Sequence, residues 1–199
     1  MEIAGHFCGG IGNGRWVLRL GRSKNGPAAA EERLKRLADD LDRLADKDDE
    51  LVRRGQEIDL LRRSAAAQLH AVCVDFVADL NKLLKRTEVR FDPDVFAEEA
   101  YEPESTSLFQ IQVRGRILQI TFTATPGLAS TEEFRIPYIL EGSIRAFSQE
   151  MLDKELIEEQ LLFYTLEGRR NLWRYFCTRT YRSGPFDREY LTAIMEKLL

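Results

Sequence analysis

The sequence predicts an α+β protein, in which a long N-terminal helix of the coiled-coil type leads into a small antiparallel-sheet domain with helices on one face. Three observations predict this class. Leucines recur at heptad spacing from Leu34, no proline interrupts residues 28–86, and the apolar period changes to two from residue 107. Heptad spacing is typical of a helix that packs against another helix, and a period of two is typical of a strand with one buried face.

Residues 28–61 form the predicted coiled-coil helix, with Pro27 near its first turn. The seam is clean in the first two heptads, but three later a positions, Asp48, Gly55 and Arg62, weaken it. We expect this helix to pair with a copy of itself or with a partner helix. The predicted oligomerisation residues are the apolar a and d positions: Leu34, Leu37, Leu41, Leu44, Leu51 and Ile58.

Residues 1–27 are predicted to be a flexible, basic, glycine-rich tail. The run from Gly10 to Gly14 is not a dinucleotide fingerprint, because Arg15 stands where the third glycine is needed and neither the strand before nor the helix after is predicted.

Residues 62–199 form the predicted α+β domain. Its helix at 62–86 carries a broad apolar stripe, which favours docking on a core. Pro126–Gly127 predicts a turn, Pro137 predicts an edge or bulge, and Gly184–Pro185 is expected to end the last hairpin. The predicted elements after the first helix are a hairpin at 107–124, strands at 133–147, a helix at 148–160, a hairpin at 161–181 and a helix at 187–199.

Composition excludes several classes of function. The 199 residues carry a net charge of -4, which argues against coating nucleic acid through bulk charge. Cys8, Cys73 and Cys177 have neither zinc-ligand spacing nor the pattern of a disulfide framework, so we expect a reducing, cytoplasmic compartment. No apolar run is long enough to span a bilayer, and the first residues do not resemble a signal peptide, so no membrane partner is predicted.

No catalytic, cofactor or metal site is predicted, and we expect a non-enzymatic protein. The carboxylates at Asp153, Glu155, Glu158 and Glu159 have the density of an ordinary solvated helix face. His70 is expected to be solvated or hydrogen-bonded.

The second hairpin is the strongest signal for binding, because basic residues alternate with aromatic ones. Such residues can contact phosphates and stack on bases, and they are also enriched at protein interfaces. The competing interpretation is a core face with arginines at its rim. We therefore expect an interaction or assembly protein whose head binds a protein partner, with a nucleic-acid-associated protein as the alternative. The predicted contact residues are Arg169, Arg170, Trp173, Arg174, Tyr175, Arg179, Tyr181 and Arg182.

Overall fold

The computed structural model describes residues 27–153, 157–168 and 170–198. It confirms an α+β protein with a long N-terminal helix; all of the predicted tail except Pro27 lies outside the described residues. In chain order the elements are α1 (Pro27–Leu83), β1 (Arg90–Asp92), a 3₁₀ turn (Glu98–Ala100), β2 (Ser107–Val113), β3 (Arg116–Ala129), β4 (Tyr138–Ser148), α2 (Gln149–Asp153), β5 (Glu158–Glu167), β6 (Arg170–Cys177), β7 (Arg182–Pro185) and α3 (Arg188–Leu198).

The chain divides into two compact units after Asp49. In the first unit, every side chain from residue 30 to residue 49 is exposed. In the second unit, the side chains of α1 become half-buried at Ile58 and reach full burial at Arg62. The second unit, residues 50–199, is called the head below.

The seven strands among the described residues form one antiparallel sheet in which each strand is hydrogen-bonded to its neighbour in the chain, in the order β1 to β7. The turn between β2 and β3 consists of Arg114 and Gly115, with φ values of 46° and 78°. Positive φ at both central residues is what a two-residue hairpin turn requires, because it matches the twist of the strands. The connection between β2 and β3 is therefore short, and the register of these two strands follows from it.

One face of the sheet, called the inner face below, packs against α1 and α3 in a single apolar cluster. Alternate strand residues such as Ile111, Leu118 and Ile144 are fully buried there, beneath helix residues such as Leu69 and Leu191. The opposite, outer face carries a smaller aromatic cluster, Phe134, Tyr138, Phe163 and Phe176.

Within the head, polar side chains of α1 form hydrogen bonds with the sheet and with the segment after β1. Arg62 is 8% exposed and donates to the carbonyls of Thr125, at 2.5 Å, and Ile139, at 3.3 Å. His70 is buried with Nε2 2.9 Å from the Pro93 carbonyl, which agrees with the hydrogen-bonded role expected for it. The role of Arg62 is thus to bind α1 to the sheet through hydrogen bonds, and it is not a weak position in a helical seam.

The structure corrects the predicted helix at 148–160. The helix α2 ends at Asp153, and the strand β5 begins at Glu158. The residues from Glu158 to Gln160 pair with β4, where Glu159 forms an ion pair with Arg145 at 2.8 Å. Cross-strand pairing of this kind stabilises charged residues in a strand that local propensity assigns to a helix.

Several predicted boundaries in the sheet are also wrong. The strands predicted at 133–147 are one strand that begins at Tyr138 and passes through Gly142 without a break. A Cβ at Gly142 would collide with the Thr121 carbonyl, so the glycine permits close approach of β3 rather than ending a strand. The Pro126–Gly127 pair lies inside β3, beside the register shift between Ala124 and Ala129.

The last hairpin and the terminal helices differ from prediction in their ends. The pair Gly184–Pro185 belongs to a further strand, β7, which pairs with β6. The hairpin predicted at 161–181 therefore continues into a third strand. The helix predicted at 62–86 ends at Leu83, and the final helix begins at Arg188 after Asp187 accepts a hydrogen bond from the Tyr190 backbone N–H.

Candidate interaction surfaces

The leucine stripe of α1 is exposed along its whole length. Side chains of this size are usually buried, and a row of them on one helix face marks a surface that another helix can cover. The heptad positions that follow the d leucines are Ala38 and Ala45, which widen the apolar face without adding bulk. The exposed fractions are 66% for Leu34, 54% for Leu37, 56% for Leu41, 55% for Leu44 and 65% for Leu51.

Ile58 is placed differently from the other predicted oligomerisation residues. It is half-buried and packs against the apolar core of the head. The side chains left for a partner helix are therefore the five leucines, and we call these five residues the leucine stripe from here on.

Charged residues flank the leucine stripe and pair along the helix. Arg43 contacts Asp40 at 2.6 Å, and Arg54 contacts Glu50 at 2.8 Å. These side chains are all more than two-fifths exposed, so each pair contributes about 0–1 kcal/mol. The pairs keep the helix sides polar and leave the leucines as the apolar surface.

Trp173 is not available to a binding partner. Its side chain is 5% exposed, within the core under α1, and its Nε1–H donates to the Ala65 carbonyl at 2.7 Å. Tyr175 also lies on the inner face, where its ring stacks on Tyr190 with the centroids 4.2 Å apart. The prediction that Trp173 contributes to a contact surface is corrected by this burial.

Arg174 is committed to a pair on the outer face. Its guanidinium donates to both carboxylate oxygens of Glu167, with Nη2 3.1 Å from Oε2. The hydrogen bond from Arg174 lowers the pKa of the Glu167 carboxyl. A bidentate pair of this kind holds the arginine in place and removes it from the free basic surface.

The remaining arginines do not come together. Arg170 begins β6, whereas Arg179 and Arg182 follow its end, so the length of an eight-residue strand, about 23 Å, separates them. All three are exposed, and among the described residues none has an ion-pair partner. The residue Arg169 lies outside the described part of the chain.

The turn after β6 keeps a small basic and aromatic surface. Tyr181 is 66% exposed, with a φ of 55°, and its backbone N–H donates to the Cys177 carbonyl at 2.8 Å. Arg179 and Arg182 flank it in the chain. A hydrogen bond with Thr180 lowers the pKa of the Cys177 thiol. We call Arg179, Tyr181 and Arg182 the β6–β7 turn surface.

A groove of about 500 Å³ in the head was not predicted from the sequence. Apolar side chains from the end of α1, the β2–β3 hairpin and α3 line it, including Leu80, Val113 and Met195. Arg114 and Arg188 lie at its rim, and Arg188 pairs with Asp79 at 2.7 Å. The sequence predicts the hairpin turn that places Arg114. It does not predict the groove, because the end of α1, the β2–β3 hairpin and α3 are far apart along the chain.

Within the described ranges, no group of three or more histidine, cysteine, aspartate or glutamate side chains could hold a metal ion. The helices described there include none that is long and apolar enough to cross a membrane.

The fold and these surfaces define an α+β protein with a seven-stranded antiparallel meander, helices on one face and an exposed heptad helix. No protein-family model, curated protein or solved structure matches the chain.

Proposed function

We propose that this protein is a non-enzymatic interaction protein that associates through the leucine stripe of α1. The observation that carries the proposal is the exposure of all five leucines on one helix face. Water contact with such a row is unfavourable, and the pairing of two helices removes it.

The exposed area predicts an association of moderate strength. Fully burying a leucine contributes about 1.5–3 kcal/mol, and these side chains are a little over half exposed, so each contributes about 1 kcal/mol. Five leucines on each of two helices then contribute about 10 kcal/mol, against an association cost of about 4–15 kcal/mol. At the low end of that cost the net free energy is about -6 kcal/mol, so we expect a dissociation constant of tens of micromolar.

Light scattering and sedimentation of the full chain, up to about 100 μM, test this proposal. The replacement Leu44→Glu places a charge in the stripe and should give a monomer. The control is Leu128→Glu, because Leu128 is 61% exposed on the head and Leu44 is 55% exposed. A full chain that stays monomeric at every concentration, or an equal effect of both variants, would contradict self-association.

The β6–β7 turn surface is the proposed contact of the head with a protein partner. Exposed arginine and tyrosine side chains are enriched among the residues that dominate protein interfaces. The same side chains also favour the alternative, contact with nucleic acid through phosphate pairing and base stacking. The net charge of -4 and the distance of Arg170 from the turn favour the protein partner.

Filter binding of single- and double-stranded nucleic acid at low salt separates the two alternatives. The double variant R179A/R182A changes the turn, and R170A is the matched control at the other end of β6. Binding that R179A/R182A abolishes and R170A preserves would establish the nucleic-acid alternative. No binding at low salt would leave the protein partner as the role of this surface.

We also propose that the protein resides in the cytoplasm. The support is that Cys73 and Cys177 are free thiols, which persist in reducing compartments.

A further inference from the structure

We propose that the partner of the leucine stripe is a second copy of this chain, and that the two α1 helices run antiparallel with Leu34 of one copy facing Leu51 of the other. This inference rests on the proposed function and deepens it. It follows from the charges beside the stripe, which distinguish the two directions of pairing.

A parallel pair conflicts with Asp48. In a parallel dimer each a position faces its own copy, so two Asp48 carboxylates would meet inside the seam without a counter-charge. The flanking positions give no compensation, because Asp40 would face Ala45 and Lys47 would face Val52. The parallel arrangement therefore places two like charges inside the seam and no ion pairs at the flanking positions.

An antiparallel pair centred between Asp42 and Arg43 removes this conflict. The a and d layers then place Leu34 opposite Leu51 and Leu41 opposite Leu44, each twice. Asp48 faces Leu37 in a layer near the end of the paired segment. The Asp48 carboxylate can therefore reach water.

The flanking residues also fit the antiparallel pair. Asp40 of each copy lies opposite Lys47 of the other, which gives two ion pairs across the dimer in addition to the pair of Asp40 with Arg43 within each helix. On the other edge Ala38 lies opposite Ala45, and small side chains there allow the helices to approach closely. Arg54 lies opposite Arg33 at the ends, where Arg54 contacts Glu50 at 2.8 Å and shares this carboxylate with Arg53.

Neighbouring antiparallel alignments are less favourable. A shift of one heptad in one direction needs Ile58, which packs against the head, and places Lys47 opposite its own copy. A shift in the other direction places Asp40 opposite its own copy and leaves Leu51 uncovered. The alignment centred between Asp42 and Arg43 is the one that covers all five exposed leucines.

Disulfide trapping in the full chain tests the direction of pairing. The variants L34C and L51C are each made with C8S and C177S, while the buried Cys73 is retained. L34C and L51C are mixed in equal amounts and oxidised after subunit exchange. If the pair is antiparallel, only the heterodimers have facing cysteines, so up to about half of the protein should be cross-linked. Either variant alone should give about tenfold less, because Leu34 and its own copy would lie about 25 Å apart.

Each outcome has one consequence. Light scattering that shows a dimer, together with cross-linking of L34C alone or no disulfide in any sample, would overturn the antiparallel alignment and leave the proposed function standing. A monomer would overturn pairing with a second copy in either direction, and would leave a partner helix as the occupant of the leucine stripe. Charge reversal gives a second measurement: K47D should weaken the dimer about threefold or more, and D40K/K47D should restore it. A parallel pair would show neither effect.

Discussion

Arg62 provides a sharp test of how α1 is held on the sheet. The variant Arg62→Met keeps the apolar stem and volume but removes the guanidinium. The two carbonyls of Thr125 and Ile139 then lose their charged donor. The Thr125 hydroxyl lies 3.0 Å from the Ile139 carbonyl and 2.5 Å from the Gly127 carbonyl, so its single proton can compensate Ile139 only at the expense of Gly127.

The expected loss of stability follows from these contacts. A hydrogen bond from a charged donor contributes about 1.5–3 kcal/mol, and the ion pair with the half-exposed Asp59 adds about 0–1 kcal/mol. The variant recovers part of the lost free energy of unfolding, because it no longer has to desolvate a charged guanidinium on folding. We therefore expect Arg62→Met to lower the free energy of unfolding by about 2–4 kcal/mol.

Urea denaturation at a fixed protein concentration measures the change, since the proposed dimerisation would make the midpoint depend on concentration. The control is Arg63→Met, because Arg63 is the neighbouring arginine and is less buried. That control should change the free energy by less than about 0.5 kcal/mol. If both variants have the same free energy of unfolding, the buried guanidinium does not hold the helix on the sheet.

Three further measurements test other parts of the head. Gly142→Ala should lower the free energy of unfolding in urea by about 1–3 kcal/mol, because the new Cβ would collide with β3. The control is Gly127→Ala, whose Cβ meets open space, and equal midpoints for the two variants would contradict this prediction. Alkylation followed by peptide mass mapping should modify Cys177 in the native protein and Cys73 only after unfolding, because burial raises the pKa of Cys73 and hydrogen bonding lowers that of Cys177; early modification of Cys73 would refute its burial. The stability advantage of the wild type over Glu167→Gln should be full above pH 4.5, the ordinary pKa of the group, and should shrink as pH falls through its lowered folded pKa; a pH-independent difference would show that the carboxylate charge does not contribute.

The sequence was sufficient for the class of fold because the relevant signals are local. Long spans without proline predict a long helix, and alternating apolar residues at 107–124 predict strands with one buried face. Both depend on periodicity within about ten residues, which tertiary contacts seldom reverse over long segments. The coiled-coil character of α1 stays a prediction.

Tertiary contacts explain what the sequence did not show. Arg62 counts as a polar seam position by heptad arithmetic, and its role depends on carbonyls 63 and 77 residues away. The residues from Glu158 to Gln160 are good helix formers, but Gln160 meets the Tyr190 hydroxyl at 3.1 Å and Glu159 meets Arg145. In each case the deciding partner comes from another element.

The contact surface on the head was predicted only in part for a similar reason. A run of arginines and aromatics in the sequence does not show which face each side chain occupies or which arginine has a counter-charge. Period two places Trp173 and Tyr175 inward, and Glu167 holds Arg174. What is left of the predicted surface is the turn that follows β6.

The hydrogen bond between Trp173 and Ala65 joins residues 108 positions apart and has a consequence for synthesis. The meander forms between chain neighbours, so each strand can pair soon after it emerges. The contact of α1 with Trp173 must wait until β6 is made, which at ribosomal rates takes roughly 5–20 s after Ala65. The leucine stripe is complete before that interval begins, so we expect neighbouring nascent chains to meet through α1 before either head is complete.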